Sequence, residues 1–439
     1  MSELASEPNN TGRPRAAGPS LRGAVGGDNY DVVIVGGGLA GCTAAILLGR
    51  AGLDVALLEA HRHPSTYKRM CTTSIRSSAL PTLRRLGVDT AIEKAGGVPA
   101  HDAFNTPYGW LHVPRMDDCP PHGYNIRRET LDPLMREAAA ETAGVELVLG
   151  AKVRELTRDR QGRVDGVLAM VDGEARRFGA RLVVGADGHS SKVAELAGLP
   201  GHRTDPKRFF LFAHYRGVEV PADRTLSIWL NMPDVVSVGA MDDGHVVLAA
   251  MLDKRRLPAA RGDRESVLLD AYRNLPDGPD LSRAHRTSEV LSSRSYPSVT
   301  RWRITTPGVA LVGDAAMVAD PLEGSGCGWA VQGGEWLSDA VADAVRSGHP
   351  KRIDQAARRY ERTHRFRLFP HQAQIIDLST RLALSGVMKV VLSASVRDPK
   401  VAERFTSVIT RNRSMLKVLT PAFVARALYA AARPTAVRS

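Results

Sequence analysis

The segment Tyr30-Asp31-Val32-Val33-Ile34-Val35-Gly36-Gly37-Gly38-Leu39-Ala40-Gly41 constrains the fold of this chain more than any other. Apolar, β-branched residues run into a glycine turn, and the turn opens into the small-residue stretch Cys42-Thr43-Ala44-Ala45-Ile46-Leu47-Leu48. One supersecondary unit later, Val55-Ala56-Leu57-Leu58 has the composition of a second strand and ends at Glu59. Strand, Gly-x-Gly-x-x-Gly, helix, strand and terminal acid, in that order, make a dinucleotide-binding βαβ unit. Gly36 permits the tight turn, Gly38 lets the backbone approach a pyrophosphate, and Gly41 lets the helix pack close to the strand. The helix N-terminus presents unpaired N–H groups and a positive dipole end to phosphates. Glu59 can accept hydrogen bonds from the hydroxyls of an adenosine ribose.

At 439 residues the chain is long enough for two or three structural units with a sizeable core. No apolar run approaches the roughly 20 residues needed to span a bilayer. Residues 1–28 are rich in Asn, Pro, Gly, Ser and Arg and carry no apolar stretch, so they read as a disordered tail rather than a signal peptide. Cys42, Cys71, Cys119 and Cys327 are scattered, with no Cys-x-x-Cys pair, so neither a metal site nor a disulfide framework is indicated. That cysteine usage fits a cytoplasmic location. The net charge of +12 comes mostly from arginine spread along the chain, and without a nucleic-acid module it does not point to a nucleic-acid partner.

Further along, Ser78–Leu86 is a short helical pattern stopped by Gly87, and Asp132–Ala143 is an amphipathic helix stopped by Gly144. Residues 102–122 read as a strand pair or a loop lining the substrate site. Val145–Leu149, Arg163–Met170 and Arg181–Gly185 read as strands. From Phe209 to Leu252 the period shifts to strands at Phe209–Val218, Thr225–Leu230, Val235–Ala240 and His245–Met251, with Asp242-Asp243-Gly244 as a hairpin turn. Gly308–Asp314 is a further strand-to-turn element, and Cys327–Val345 is helical. After Lys351 helical patterns dominate, punctuated by Pro370, Pro399 and Pro421. The expected class is therefore α/β. A Rossmann-type nucleotide-binding domain (29–200 and 296–350) is interleaved with a β-rich substrate domain (201–295) and followed by a C-terminal helical region (351–439). The helices at Ala402–Leu419 and Pro421–Arg433 mix apolar faces with Arg and Lys. A helical cap with a solvated basic face is the favoured reading there, and a peripheral membrane contact the other.

Three more elements align with the first: Gly185-Ala186-Asp187-Gly188, Gly313-Asp314-Ala315-Ala316, and Pro321-Leu322-Glu323-Gly324-Ser325-Gly326. A fourth, Arg128-Glu129-Thr130-Leu131-Asp132-Pro133-Leu134-Met135, is similar to R-x-x-L-D-x-x-L, with Met135 at the last position. Over roughly residues 29–350 the chain resembles the FAD-dependent oxidoreductases of the p-hydroxybenzoate hydroxylase fold, a superfamily of flavin monooxygenases, geranylgeranyl reductases and flavin halogenases. The resemblance implies FAD held by Gly36, Gly38, Gly41, Glu59, Arg128, Asp187, Asp314, Pro321, Gly324 and Gly326. Asp314 would accept from the ribityl hydroxyls, and the glycines after Pro321 would let backbone N–H groups face the flavin ring and stabilise negative charge on it.

The chain also departs from the monooxygenase pattern, with Met317, Gly328 and Ala194 where that branch has His, Asn and Arg. The loop from Pro321 to Gly326, and Cys71 in Lys68-Arg69-Met70-Cys71, look closer to the reductase branch. Trp110-Leu111-His112-Val113-Pro114 is only a fragment of a halogenase signature. There is one dinucleotide fingerprint, and FAD would fill it, so NAD(P)H as a transient reductant would bind elsewhere. The flavin itself brings hydride and oxygen chemistry, so no catalytic triad is required.

His112, His214, Tyr215, Trp229, Met241 and His245 are candidate substrate-side groups. His214 and Tyr215 stand out because their strand end is expected to face the flavin, and Cys71 because its loop is expected near the ring. The expected function is an FAD-dependent, NAD(P)H-driven monooxygenase that hydroxylates or epoxidises a bulky, mostly apolar small molecule, in secondary metabolism such as antibiotic biosynthesis. The alternatives are a reductase of prenyl or polyene double bonds, and a flavoprotein with structural FAD that catalyses a non-redox cyclisation.

Overall fold

The computed structural model describes residues 28–113 and 116–433. The expected tail lies outside the described residues except for Asp28, which opens the first strand. So does Pro114 of the halogenase-like fragment.

The Asp28–Val35 strand is central because its inner residues are apolar on both faces, as a strand covered on both sides requires. It pairs in parallel with Val55–Glu59 on one side and with the long Glu174–Gly185 strand on the other. Val145–Leu149 and Val309–Leu311 extend the parallel sheet outward. The glycine turn leads into the Leu39–Arg50 helix, of which every residue but Arg50 is buried. Small side chains along it allow close packing against the sheet and against the 21-residue Gly326–Arg346 helix.

A second large sheet is almost wholly antiparallel. It is built from Arg208–Arg216, Val246–Asp253, Val235–Ala240 and Leu226–Trp229. Asp102–Thr106 then joins Leu226–Trp229 in parallel and pairs with Gly109–His112 in a hairpin. The strand pair expected at 102–122 therefore exists over 102–112 and hydrogen-bonds into this second sheet rather than the nucleotide-binding one. Alternation splits the sheet into two apolar faces. Phe209, Leu211, Ala213 and Tyr215 pack outward with Leu268 and Tyr272, from the segment after the sheet. Phe210 and Phe212 pack inward with Leu322, Leu392 and Phe405, from the flavin-type loop and the C-terminal helices.

The C-terminal region differs from expectation in two places. Pro370 does not interrupt a helix: Pro350–Thr380 runs through it for 31 residues. Proline there forgoes one backbone hydrogen bond, and burial of Leu368, His371, Gln372 and Ile375 on either side holds the helix together. The helix expected over Ala402–Leu419 is instead Pro399–Ile409 and a single turn, Met415–Val418. Arg411 breaks it in a left-handed conformation (φ 60°), and the Arg413 N–H turns back to the Ser407 carbonyl at 3.0 Å. The last helix, Pro421–Ala432, buries Phe423, Ala427 and Ala430 and exposes Val424, Leu428 and Tyr429. No helix among the described residues is long and apolar enough to cross a membrane.

Candidate active site

The fingerprint glycines take three different positions. Gly36 has φ +112°, and a Cβ on it would lie 2.4 Å from the Ala186 carbonyl oxygen. A Cβ on Gly41 would lie 1.9 Å from the Gly36 carbonyl oxygen, so helix and turn meet there in backbone contact. A Cβ on Gly38 would meet nothing within 4 Å, because Gly38 faces a cavity of about 800 Å³. The two outer glycines build the turn, and the middle one keeps open the space in front of it.

That cavity gathers segments remote in sequence. Gly38 and Ala40, at the start of the first helix, form one wall. Ala186, Asp187 and Gly188 form another, with Asp314 beyond them. Pro321, Gly324, Ser325 and Gly326 lead into the Gly326–Arg346 helix, whose N-terminus opens on the cavity. Arg128 and the loop from Lys68 to Ser74 close it. Of the ten residues expected to hold FAD, Gly38, Arg128, Asp187, Asp314, Pro321, Gly324 and Gly326 line this space. Gly36 and Gly41 shape the turn beside it.

Glu59 does not itself line the cavity. Its carboxylate accepts from the Gly37 N–H at 2.8 Å and from the His61 N–H at 2.9 Å, and His61 reaches the cavity wall. The acid thus braces the glycine turn as well as ending the second strand. Asp187 is similarly committed, accepting from the Ser191 hydroxyl at 2.6 Å and the Val193 N–H at 3.0 Å. It shapes the wall through its turn.

Asp314 is tied to groups that the motifs do not contain, and Arg128 to the Asp132 of its own motif. Lys68 Nζ lies 2.7 Å from Asp314 Oδ2 and 3.2 Å from the Tyr296 hydroxyl. Burial disfavours the ammonium, but Asp314 outweighs it and holds the lysine firmly protonated. Arg128 Nε donates to Asp132 at 2.6 Å, and the other Asp132 oxygen accepts from the Lys68 N–H at 2.9 Å. One carboxylate therefore fixes both the arginine and the Lys68 loop. Cys71 lies on that loop, in the cavity wall, with its Sγ 3.6 Å from the Cys327 Sγ. The scatter of cysteines in the sequence conceals this approach across 256 residues.

His214 and Tyr215 are corrections to the expected substrate side. Adjacent residues on a strand face opposite ways. Tyr215 points to the outer face, where its hydroxyl meets Glu265 at 3.3 Å. His214 shares the inner face with Phe210, but only Phe210 reaches the cavity. Burial pushes the His214 ring down to about 4, and it packs edge-on to Phe212 and His245. Trp229 is also turned outward, donating to the Pro276 carbonyl at 2.9 Å, and Met241 is buried in the inner core.

A second, smaller cavity lies on the other side of the Pro321–Gly326 loop. It is lined by Phe104, Ile228 and Leu230 of the second sheet and by Leu378, Leu384, Met388, Leu392, Phe405 and Ile409 of the C-terminal helices. Leu322 and Glu323 of the loop form its near wall. Arg76, completely buried, pairs with Asp102 at 2.5 Å and donates through Nε to the Glu323 carbonyl at 3.2 Å, pinning the loop between the cavities. The Glu323 carboxyl accepts from Gln374 at 3.1 Å. Burial pushes it up to about 7, against the opposing pull of Arg76 and Arg411. Glu323, Gln374 and Arg76 were not among the expected site residues. Glu323 sits inside a recognised motif, and its charge amid Pro, Leu and Gly was the available signal.

The chain matches the FAD binding domain family over residues 29–366. It belongs to that family. Gly38 leaves the space a bound pyrophosphate needs, and the open helix N-terminus beyond Gly326 offers N–H donors, so the observed residues fit the cofactor of their family. Kynurenine 3-monooxygenase of Salinispora tropica is 27% identical over 380 residues, 80% of this chain and 78% of that protein. Digeranylgeranylglycerophospholipid reductase 1 of Methanococcoides burtonii is 26% identical over 333 residues, 72% of this chain and 76% of that protein. The solved myxobacterial chondrochloren halogenase superposes with a TM-score of 0.68 at 19% identity, covering 92% of this chain and 97% of its own, a likeness of fold alone. The family lies in the superfamily of FAD-dependent monooxygenases and geranylgeranyl reductases.

Proposed function

We propose that this flavoprotein is an NAD(P)H-driven monooxygenase that hydroxylates or epoxidises a bulky, mostly apolar small molecule in the secondary metabolism of its cell. The observation that carries this reading is the cavity of about 800 Å³, in which the FAD-family motifs meet Phe210 of the second sheet, with the small apolar pocket of about 40 Å³ behind the Pro321–Gly326 loop. Flavin, when bound, supplies hydride and oxygen chemistry. The chain supplies orientation: Lys68 and Arg128 place positive charge in the cofactor cavity, Arg76 fixes the loop, and the aliphatic wall excludes water. Relatives acting as monooxygenases support this reading, kynurenine 3-monooxygenase and the Streptomyces glaucescens tetracenomycin A2 monooxygenase-dioxygenase among them. No membrane-spanning helix is found among the described residues, and a cytoplasmic location is part of the proposal.

A second reading, a reductase of prenyl or polyene double bonds, is favoured by Cys71 in the cavity wall and by the reductase relatives. Oxygen uptake with NADH or NADPH and a panel of aromatic and polyene substrates separates the two. Substrate-dependent oxygen consumption with oxygen recovered in the product supports the monooxygenase. Substrate reduction that proceeds under argon overturns it in favour of the reductase, and conversion with no reductant at all leaves the cyclase.

A further inference from the structure

Cys71 and Cys327 come from the loop after the first βαβ unit and from the second residue of the Gly326–Arg346 helix. Their sulfurs are 3.6 Å apart in the wall of the cofactor cavity. A disulfide needs about 2.05 Å, so roughly 1.5 Å of approach separates the two thiols from a bond. The surroundings make the two sulfurs unequal. The Cys327 thiol hydrogen-bonds to Cys71, and Arg128 and Lys68 add positive charge, which hold the Cys71 thiol well below its ordinary range. The same interaction, with burial, pushes the Cys327 thiol up. Arg128 Nη1 lies 4.0 Å from the Cys327 sulfur. Two sulfurs in near contact, flanked by cations and lining a cavity, with the proton held less firmly on Cys71 than on Cys327, have the arrangement of an attacking and a resolving cysteine. The other cysteines lack it. Cys42 is completely buried, aims its thiol at the Gly37 carbonyl at 3.4 Å, and is pushed up to about 12 by burial. Cys119 sits beside Asp118, which together with burial raises it.

We propose that Cys71 and Cys327 are a peroxide-reactive modification site that closes reversibly into a disulfide across the cofactor cavity. The Cys71 thiolate attacks one oxygen of hydrogen peroxide, the O–O bond breaks, and hydroxide leaves a sulfenic acid on Cys71. Cys327 then attacks that sulfur, the S–S bond forms, the S–O bond breaks, and water is released. In balance, two thiols and one peroxide give one disulfide and two waters, and a dithiol reductant reverses the change. The bond ties the Lys68–Ser74 loop to the N-terminus of the Gly326–Arg346 helix. The proposal stands apart from the choice between oxygenation and reduction, since the oxidant is peroxide supplied from solution.

The test uses the purified full-length protein with its FAD content measured in parallel. Reduced protein is pulsed with iodoacetamide near neutral pH and mapped by mass spectrometry, and Cys71 is expected to alkylate about tenfold or more faster than Cys119. Protein treated with one equivalent of hydrogen peroxide should yield a cross-linked peptide joining residues 71 and 327 that disappears on reduction. In Cys327→Ser the resolving thiol is gone, and a 1,3-dione should trap sulfenic acid on Cys71. If Cys327→Ser does not fold, the map of the unsubstituted protein decides alone. Cys71 alkylating no faster than Cys119, or peroxide leaving residues 71 and 327 unlinked, overturns the proposal whatever the FAD content.

Discussion

The parallel sheet and the antiparallel sheet differ in how tightly each residue is bound to its task. Around the glycine turn the tolerance is atomic: Gly41 has a carbonyl oxygen where its Cβ would be, while Gly38, three residues away, has open space. In the Arg208–Arg216 strand the requirement is general. Residue after residue is buried and apolar, and what matters is which face each one takes. A turn that cradles a cofactor is specified by backbone geometry, which single residues encode. A sheet covered on both faces is specified by packing, which many residues share. The first kind of region fails abruptly on substitution, and the second in proportion to volume lost.

Paired glycine substitutions put the largest strain on this contrast. Gly41→Val should abolish the folded, FAD-retaining protein, because the turn cannot accommodate a side chain against the Gly36 carbonyl. Gly38→Val should fold, with near-normal circular dichroism, yet lose FAD, because its side chain would fill only the open cavity. Equal behaviour of the two variants would break the distinction. In the antiparallel sheet, Phe212→Ala removes a side chain from the buried inner face. It should cost about 3–5 kcal/mol in urea unfolding while leaving the FAD spectrum of the surviving folded fraction unchanged.

A smaller effect is expected on the loop between the two regions. The Glu323 carboxyl is held up to about 7, so the folded state keeps its proton over a range in which the unfolded chain, near 4.5, has lost it. The stability this contributes is present below the unfolded value and is lost as pH rises through about 7. Glu323→Gln keeps a neutral group at every pH. The difference in unfolding free energy between the two proteins should therefore shift by about 1–3 kcal/mol between pH of about 5 and 8, to the disadvantage of the unsubstituted chain at the higher pH. Asp320, pushed up to about 6 by burial, acts in the same direction in both proteins. A pH-independent difference would show that Glu323 is not held neutral. The smallest effect belongs to Tyr215→Phe, which removes only the outward hydroxyl contact with Glu265. It should cost within about 1 kcal/mol and leave turnover unchanged. A tenfold loss of turnover would mean that the outer face serves the chemistry after all.

Much of the fold could be read from local pattern. Val145–Leu149 and Val235–Ala240 coincide with their observed strands, and Asp242–Gly244 does turn the chain between strands, with Asp243 at φ 56°. Helices were less legible where a local rule met tertiary packing. Pro370 argued for a stop, and the buried contacts on either side of it overrode that argument. Nothing in the composition of residues 402–419 announced that Arg411 would turn left-handed, with its guanidinium over the Trp329 ring.

What the sequence determined by itself is the nucleotide-binding turn and the family it belongs to. A Gly-x-Gly-x-x-Gly between strand and helix meets steric demands made by atoms only a few residues away, and such demands leave their mark on local composition. The tertiary structure alone decided which residues meet at the cavities. Alternation along Arg208–Arg216 separates His214 from Tyr215, but with both faces apolar it cannot say which face meets the flavin-type loop or how far along the strand the cavity reaches. The Lys68–Asp314 pair, the Arg76–Glu323 anchor and the Cys71–Cys327 approach each join segments more than 240 residues apart. Such contacts depend on how the two sheets and the C-terminal helices pack together, and the short stretch of chain around any one of these residues carries no trace of its partner.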